Sequence, residues 1–307
     1  MRVVIVGLGI QGRKRLKIAA ADAVATVDPV VPGVDYRRIE DVPREAYEAA
    51  LLCVPDREKP LLLEYLLSRG KHVLVEKPLL ADKNECLVRL KELALAKGVA
   101  CYTAYNHRFE PHILRLKEVL DQRGLGALYL ARFFYGNGTA RDVRNSSWRD
   151  QGLGVLADLG SHLLDSSVFL FGRRESEVQA WGCHRFENRA FDHFRFGFEG
   201  QPALDFEVTL LSWRNSFRVD VIGELGSAHI DSLCKWGPSV FTFRRRVLPS
   251  GRPEEETHTL ICTDPTWQRE YDHFKILCSH PETNIDTDIW INSVVNDVAA
   301  KVELELQ

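Results

Sequence analysis

The stretch Met1-Arg2-Val3-Val4-Ile5-Val6-Gly7-Leu8-Gly9-Ile10-Gln11-Gly12 decides how this chain is read. Val3 to Val6 is an unbroken aliphatic run, the pattern of a short strand buried on both faces. The glycines follow at once, and a helical pattern begins beyond them through Arg15, Leu16 and Ile18. A G-x-G-x-x-G turn between a strand and a helix allows a tight reversal, close approach of a pyrophosphate and close helix–strand packing. The free N–H groups and positive dipole end of such a helix favour phosphate oxygens. In isolation the motif is only a glycine-rich turn. Its place directly after the first strand makes it a dinucleotide cradle, with Gly7, Gly9, Ile10, Gln11 and Gly12 at the phosphates.

Outward from that turn, Ala23 to Val27 forms a second run that ends in Asp28. An acid at this strand end accepts hydrogen bonds from ribose hydroxyls and repels a 2′-phosphate, so NAD(H) is expected over NADP(H). Pro29, Pro32 and Gly33 then rule out the crossover helix that a doubly wound unit normally carries here. Ala49 to Val54 reads as the third strand. Its last residue, Val54, and the following Pro55 are counted with the cofactor site. A helix over Pro60–Leu67, a strand over Val73–Val75, a helix over Lys83–Leu95 and a strand over Val99–Thr103 complete an alternation that predicts a parallel sheet. The fold class is α/β, with a first domain over residues 1–104.

Glu76-Lys77-Pro78 sits at the carboxyl end of the fourth strand, where open parallel sheets bind their ligands. A lysine there can hydrogen-bond a substrate oxygen and move a proton. The plain alternative is an exposed lysine starting a polar loop.

From residue 105 the pattern changes. Tyr105-Asn106-His107-Arg108-Phe109 opens a helix to about Asp121, Leu128–Tyr135 is a strand, and a polar loop runs from Gly136 to Gly154. A helix over Val155–Leu170 follows. Six short strand-like runs between Glu177 and Arg245 have no long helices between them, which indicates a mainly antiparallel sheet. Too few helices follow to cover both of its faces. An uncovered apolar face is therefore expected, and with it a homo-oligomer, a dimer or tetramer. Helices over Trp267–Cys278 and Asp286–Leu304 close the chain.

Asp158, His162 and Asp165 are spaced i, i+4, i+7, which sets them on one helix face. His162 is a candidate base for a substrate hydroxyl, with Asp158 orienting it. A capping aspartate and a satisfied core histidine are the plain alternative. The loop before them holds Arg141, Arg144, Asn145, Trp148 and Arg149. Trp148 could stack on a sugar ring, and the arginines could meet a phosphate or carboxylate.

Composition narrows the classes. The 307 residues carry a formal net charge of −3, which argues against a nucleic-acid footprint or an anionic membrane surface. No run approaches the ~18 apolar residues of a membrane helix. The N-terminus runs straight into a strand, without signal-peptide architecture. Seven scattered cysteines form no Cys-x-x-Cys pair, so no metal site is expected, and they read as reduced thiols of a cytoplasmic protein.

Taken in order, Gly7–Gly12, Glu76-Lys77-Pro78, Tyr105–Phe109 and Gly154–Asp165 resemble the glucose–fructose oxidoreductase/inositol dehydrogenase (Gfo/Idh/MocA) family. The resemblance implies a Rossmann domain followed by an α+β domain, residues 105–307, for substrate binding and oligomerisation, built on an open, mainly antiparallel sheet. It implies hydride transfer between nicotinamide C4 and a carbon of a sugar, sugar derivative or polyol. Lys77 and His162 match the family's proton-handling pair, Asp158 their acidic partner, and Asn106 a position near the nicotinamide; Glu76 goes with the cofactor, and Tyr105 and Arg108 with the substrate. Two other functions stay open: reduction of a non-sugar substrate such as an imine or linear tetrapyrrole, and a catalytically silent dinucleotide-binding regulator. The silent reading has no need of Lys77, Asp158 and His162 together.

Overall fold

The structure is a computed structural model and describes residues 1–146 and 149–305. Contacts group the chain into two compact units, Met1–Asn106 with Thr266–Ser293, and His107–Pro265 with Val294–Gln307.

The first unit begins with β1 (Val3–Val6), α1 (Ile10–Ala19), β2 (Ala23–Val27), β3 (Ala49–Leu52), α2 (Lys59–Ser68), β4 (His72–Glu76), α3 (Asn84–Lys97) and β5 (Cys101–Ala104). The strands form a parallel sheet in the order β2-β1-β3-β4-β5. β1, β3 and β5 are buried at every residue, as continuous aliphatic runs require in a sheet covered on both faces. Among the described residues no α-helix joins β2 to β3; two short 3₁₀ turns, Ile39–Asp41 and Arg44–Ala46, take its place. α3 ends at Gly98 in the left-handed conformation, φ 61° and ψ 40°.

The second unit contains α4 (Pro111–Asp121), β6 (Leu128–Gly136), α5 (Ala140–Arg144), α6 (Ser161–Phe171), β7 (Val178–His184), β8 (His193–Phe198), β9 (Ala203–Thr209), β10 (Ser216–Gly223), β11 (Gly226–Asp231), β12 (Ser239–Arg245) and β13 (Glu254–Leu260). Its strands form one sheet, β13-β12-β11-β10-β6-β9-β8-β7, antiparallel except for the parallel β6–β9 pair. One face holds the core. The rings of Phe133, Phe206 and Phe196 stack across β6, β9 and β8 at centroid distances of 5.1 and 5.0 Å. α4 and α6 lie against this sheet.

The opposite face departs from the sequence reading. Strand register puts Arg132, Asp205, Glu207, Arg195, Arg218, Asp220, His229 and Arg244 on it, with the apolar Leu130, Phe134 and Ile222 interspersed. Asp220 bonds His229 at 2.6 Å and Arg244 bonds Glu255 at 2.6 Å. The face expected to be apolar thus mixes charged and apolar residues, because each strand alternates and turns most of its aromatic and aliphatic residues to the core.

Four local differences have physical reasons. The helix expected from Tyr105 is a 3₁₀ turn, Asn106–Phe109, and α4 starts only at Pro111, which fits the first helical turn but not a helix interior. The loop from Gly136 to Gly154 contains α5. The expected helix from Val155 opens with a π-helical turn, Leu156–Gly160, which changes the angular spacing between Asp158 and His162. β13 was not expected: its residues are mostly polar, so no apolar alternation marks it, and it pairs at the sheet edge through its backbone.

After β13 come α7 (Thr266–Ser279) and α8 (Ile285–Glu305). The sequence reading put both in the second domain. Contacts place α7 and the start of α8 in the first unit. The reason is burial: Tyr271, Phe274 and Leu277 of α7 share a core with Val3, Ile5, Leu51 and Leu74, while α2 and α3 cover the other face of that sheet. Among the described residues no helix is long and apolar enough to cross a membrane.

Candidate active site

In the first unit the glycine turn has the shape that a dinucleotide needs. Gly7 has φ +90°, and a Cβ there would lie 2.3 Å from the carbonyl oxygen of Cys53. A Cβ on Gly12 would lie 1.7 Å from the carbonyl oxygen of Gly7, so only glycine lets α1 approach the strand this closely. Gly9 is different: a Cβ there would meet nothing within 4 Å, leaving open space beside the helix terminus. Gly9 caps α1 with no side-chain hydrogen bond, which leaves the first-turn N–H groups for a ligand. Ile10 and Gln11 are exposed beside them. These features fit a nicotinamide dinucleotide. Beyond β3, Val54 is partly buried and Pro55 is exposed.

Asp28 is bound inward. Its Oδ2 accepts the N–H of Leu8 at 2.7 Å, and its Oδ1 accepts those of Val30 and Val31 at 2.9 and 2.8 Å. Burial raises its pKa, but the three N–H bonds and nearby Arg37 outweigh it and hold the carboxyl below its usual range. Arg37 donates to the carbonyls of Asp28 and Val31 at 3.3 and 2.8 Å, which brings a cation to this loop. Arg38 turns away to Glu40.

Lys77 follows the last residue of β4 and is partly buried. It therefore leaves the sheet at its carboxyl edge, the same edge as the Gly7–Gly12 turn and Asp28. Glu76 accepts from Arg15 at 2.7 Å. Asn106 is buried and donates its amide to Thr266 at 2.8 Å. Tyr105, expected at the substrate, has no exposed surface, and its hydroxyl donates to Asp288 at 3.2 Å.

In the second unit His162 is 7% exposed. Its ring stacks on that of His107 with centroids 4.2 Å apart and 19° between planes, and Tyr135 lies at 5.9 Å. Asp158 is more open, and its Oδ2 accepts from Arg149 at 3.4 Å. Asp165 is fully buried, gripped by Arg108 through Nε at 2.9 Å and Nη2 at 2.5 Å. Burial raises the pKa of Asp165, with Arg108 opposing. The spacing that put three polar residues on one face therefore ends in three environments. Arg108, expected at the substrate, is partly buried and holds Asp165 of the helix. Gly154, at φ +49°, lets the chain enter the π turn; a Cβ there would lie 2.3 Å from the carbonyl oxygen of Phe191. Arg141, Arg144 and Asn145 are exposed on and beside α5. Trp148 lies outside the described residues.

Sequence reasoning missed Arg15, Lys59, Glu270 and His107. All four are buried. His107 lay inside a recognised motif, and Asp56 three residues before Lys59 was the signal for that lysine's partner. Nothing local marks Glu270 as the partner of Arg15.

Comparison with known proteins gives the class. A family model described as "Oxidoreductase family, NAD-binding Rossmann fold" matches residues 1–105, and one described as "GFO/IDH/MocA C-terminal domain" matches residues 113–229. The chain belongs to the Gfo/Idh/MocA oxidoreductase family. It is similar to trans-1,2-dihydrobenzene-1,2-diol dehydrogenase of Sus scrofa, 29% identical over 67% of this chain and 61% of that protein. It is also similar to scyllo-inositol 2-dehydrogenase (NADP(+)) IolW of Bacillus subtilis, 29% identical over 42% of this chain and 36% of that one. The matches thus span less than two thirds of these relatives' lengths. Among solved structures, levoglucosan dehydrogenase in complex with NADH and levoglucosan shares the fold, with a TM-score of 0.81 at 18% identity over 98% of this chain and 97% of that one.

Proposed function

We propose that this protein is an oxidoreductase that transfers a hydride between NAD(H) and a carbon of a sugar, sugar derivative or polyol. The observation that carries the reading is Lys77 at the carboxyl edge of a parallel sheet, on the same edge as a glycine turn open at Gly9. The inositol, diol and sugar substrates in the names of similar proteins support the substrate class.

Gly7, Gly9, Ile10, Gln11 and Gly12 would hold the pyrophosphate, Asp28 the adenosine ribose, and Val54, Pro55, Glu76 and Asn106 the remainder of the dinucleotide. The bound cofactor supplies a nicotinamide that accepts or gives a hydride. Lys77 donates a hydrogen bond to the reacting oxygen and stabilises the charge that develops on it. His162 takes or returns the hydroxyl proton, and Asp158 orients it. Arg141 and Asn145 contact the far side of the substrate. NAD(H) is preferred over NADP(H) because the Asp28 carboxylate opposes a 2′-phosphate. The chain acts in the cytoplasm, a reading supported by its scattered cysteines with no Cys-x-x-Cys spacing, and as a homo-oligomer.

The test is coupled turnover with NAD⁺ against a panel of free sugars, inositols, nucleotide sugars and sugar acids. On the best substrate, Lys77→Met and His162→Ala should each lower kcat by roughly 10²–10⁴-fold with NADH binding retained. Asp158→Asn should act more mildly and shift the pH–rate profile. Wild-type rates in both of the first two variants would remove the catalytic assignment.

A further inference from the structure

We propose that Lys59 and Arg15 are positioning residues for Lys77: two buried cations, from different helices, that hold the residue after it and the residue before it. The inference rests on the reading of Lys77 as the group that touches the reacting oxygen.

Each cation is 1% exposed. Arg15, in α1, donates through Nε to Glu76 Oε1 at 2.7 Å and through Nη2 to Glu270 Oε2 at 2.6 Å. Its guanidinium also lies over the ring of Trp267, 4.3 Å from the centroid. Glu270 is fully buried, so one end of this bridge is fixed in the core. The other end is the side chain immediately before Lys77. Lys59, at the start of α2, donates through Nζ to the carbonyl oxygen of Pro78 at 2.7 Å and to Asp56 Oδ1 at 2.6 Å. That carbonyl belongs to the residue immediately after Lys77.

A buried ammonium is a costly way to fill space. Desolvation pushes Lys59 below the usual lysine range, with Asp56 opposing. An apolar side chain of the same length would fill the position without that cost. What the ammonium adds is a charge-assisted bond to one backbone carbonyl. The pairing of β4 with β5 ends at Glu76, so the sheet no longer directs the chain where Lys77 begins. Proline has no N–H, so the carbonyl is the one backbone polar group at position 78 that a side chain can hold. The Arg15 bridge fixes one flank of Lys77 to the helix that receives the pyrophosphate, and the Lys59 bond fixes the other flank to α2. A catalytic group displaced by about 1 Å can lose about 10²-fold in rate, so this bracing bears directly on turnover.

The test uses the full chain. Lys59→Met keeps the length of the side chain, and Asp56, half-exposed, can turn to water, so the variant is expected to fold. In amide hydrogen exchange without cofactor, Lys59→Met should speed exchange at Lys77, Leu79 and Leu80 while β1 and β3 stay protected. On the best substrate of the panel, it should lower kcat about 10–100-fold with NADH affinity unchanged. In a Lys77→Met background it should cost nothing further, because its effect passes through Lys77. Glu76→Gln, which keeps shape and weakens the Arg15 bond, should repeat the faster exchange at Lys77 and the loss of kcat at saturating NADH, and carries the test if Lys59→Met does not fold. Unchanged exchange with unchanged kcat, or an equal loss whether or not Lys77 is present, would overturn the inference. Full activity in Lys77→Met would instead overturn the catalytic reading beneath it.

Discussion

Asp28 ties a loop together and, on the function proposed above, meets the cofactor with the same carboxylate. Its carboxylate joins the glycine turn, through Leu8, to the segment after β2, through Val30 and Val31. The folded-state pKa is held low, so these bonds stabilise fully above about pH 4, the unfolded value, and are lost as pH falls through the depressed folded value. NADH binding measured from pH 6 down to pH 3 should therefore weaken first in acid, and Asp28→Asn should remove that component. The same charge bears on cofactor choice. NADH should bind at least about tenfold more tightly than NADPH, equivalent to about 1.4 kcal/mol. Arg37 sits on the carbonyls of Asp28 and Val31 and works against this preference. Paired dissociation constants at one ionic strength should show Asp28→Ser narrowing the gap and Arg37→Ala widening it. Equal affinities in the wild type would mean that Arg37 outweighs Asp28.

At the scale of elements, α6 is held by the turn that follows β5. His107 stacks on His162, and the next residue, Arg108, grips Asp165 one turn further along the helix. Two adjacent residues thus fix the depth and rotation of a helix that a π turn has already reset. Arg108→Ala would leave a fully buried carboxylate unpaired and should destabilise the protein by about 3–5 kcal/mol. Arg108→Met combined with Asp165→Leu should recover much of that loss, because apolar groups of similar volume replace the pair. Thermal melts of the three proteins decide the matter. An Arg108→Ala protein that melts like wild type and only raises KM would return Arg108 to the substrate site.

For the whole molecule, the broad sheet of the second unit offers a face where charge and aliphatic surface alternate. Arg132 lies 3.7 Å from Asp205, and Leu130, Phe134 and Ile222 stand among such pairs. A homo-oligomer built on this face would use both kinds of contact. Sedimentation should show a dimer or tetramer at micromolar concentration that weakens as salt is raised, since exposed ion pairs are screened. Replacing Phe134 with Glu should shift the population toward monomer. A monomer at all salt concentrations would remove the proposal.

What the sequence determined by itself is short-ranged. Val3–Val6, Ala49–Leu52 and Val73–Val75 are strands because continuous aliphatic runs have no exposed face to present. Pro29, Pro32 and Gly33 exclude a helix by sterics alone. The glycine turn and the position of Lys77 after β4 follow from the same local chemistry, so the strand–turn–helix frame of the proposed cofactor site is legible in the sequence. Tertiary structure decided whatever depends on a distant partner. Arg15 meets Glu270 across 255 positions of sequence. α7 joins the first sheet because its Tyr271, Phe274 and Leu277 complete a core begun at Val3. The sequence sets Arg108 with the substrate, and its ion pair with the fully buried Asp165 shows only in the folded chain. Local propensity says where a side chain starts, but a buried charge must find its counter-charge, and only the folded chain brings the two together.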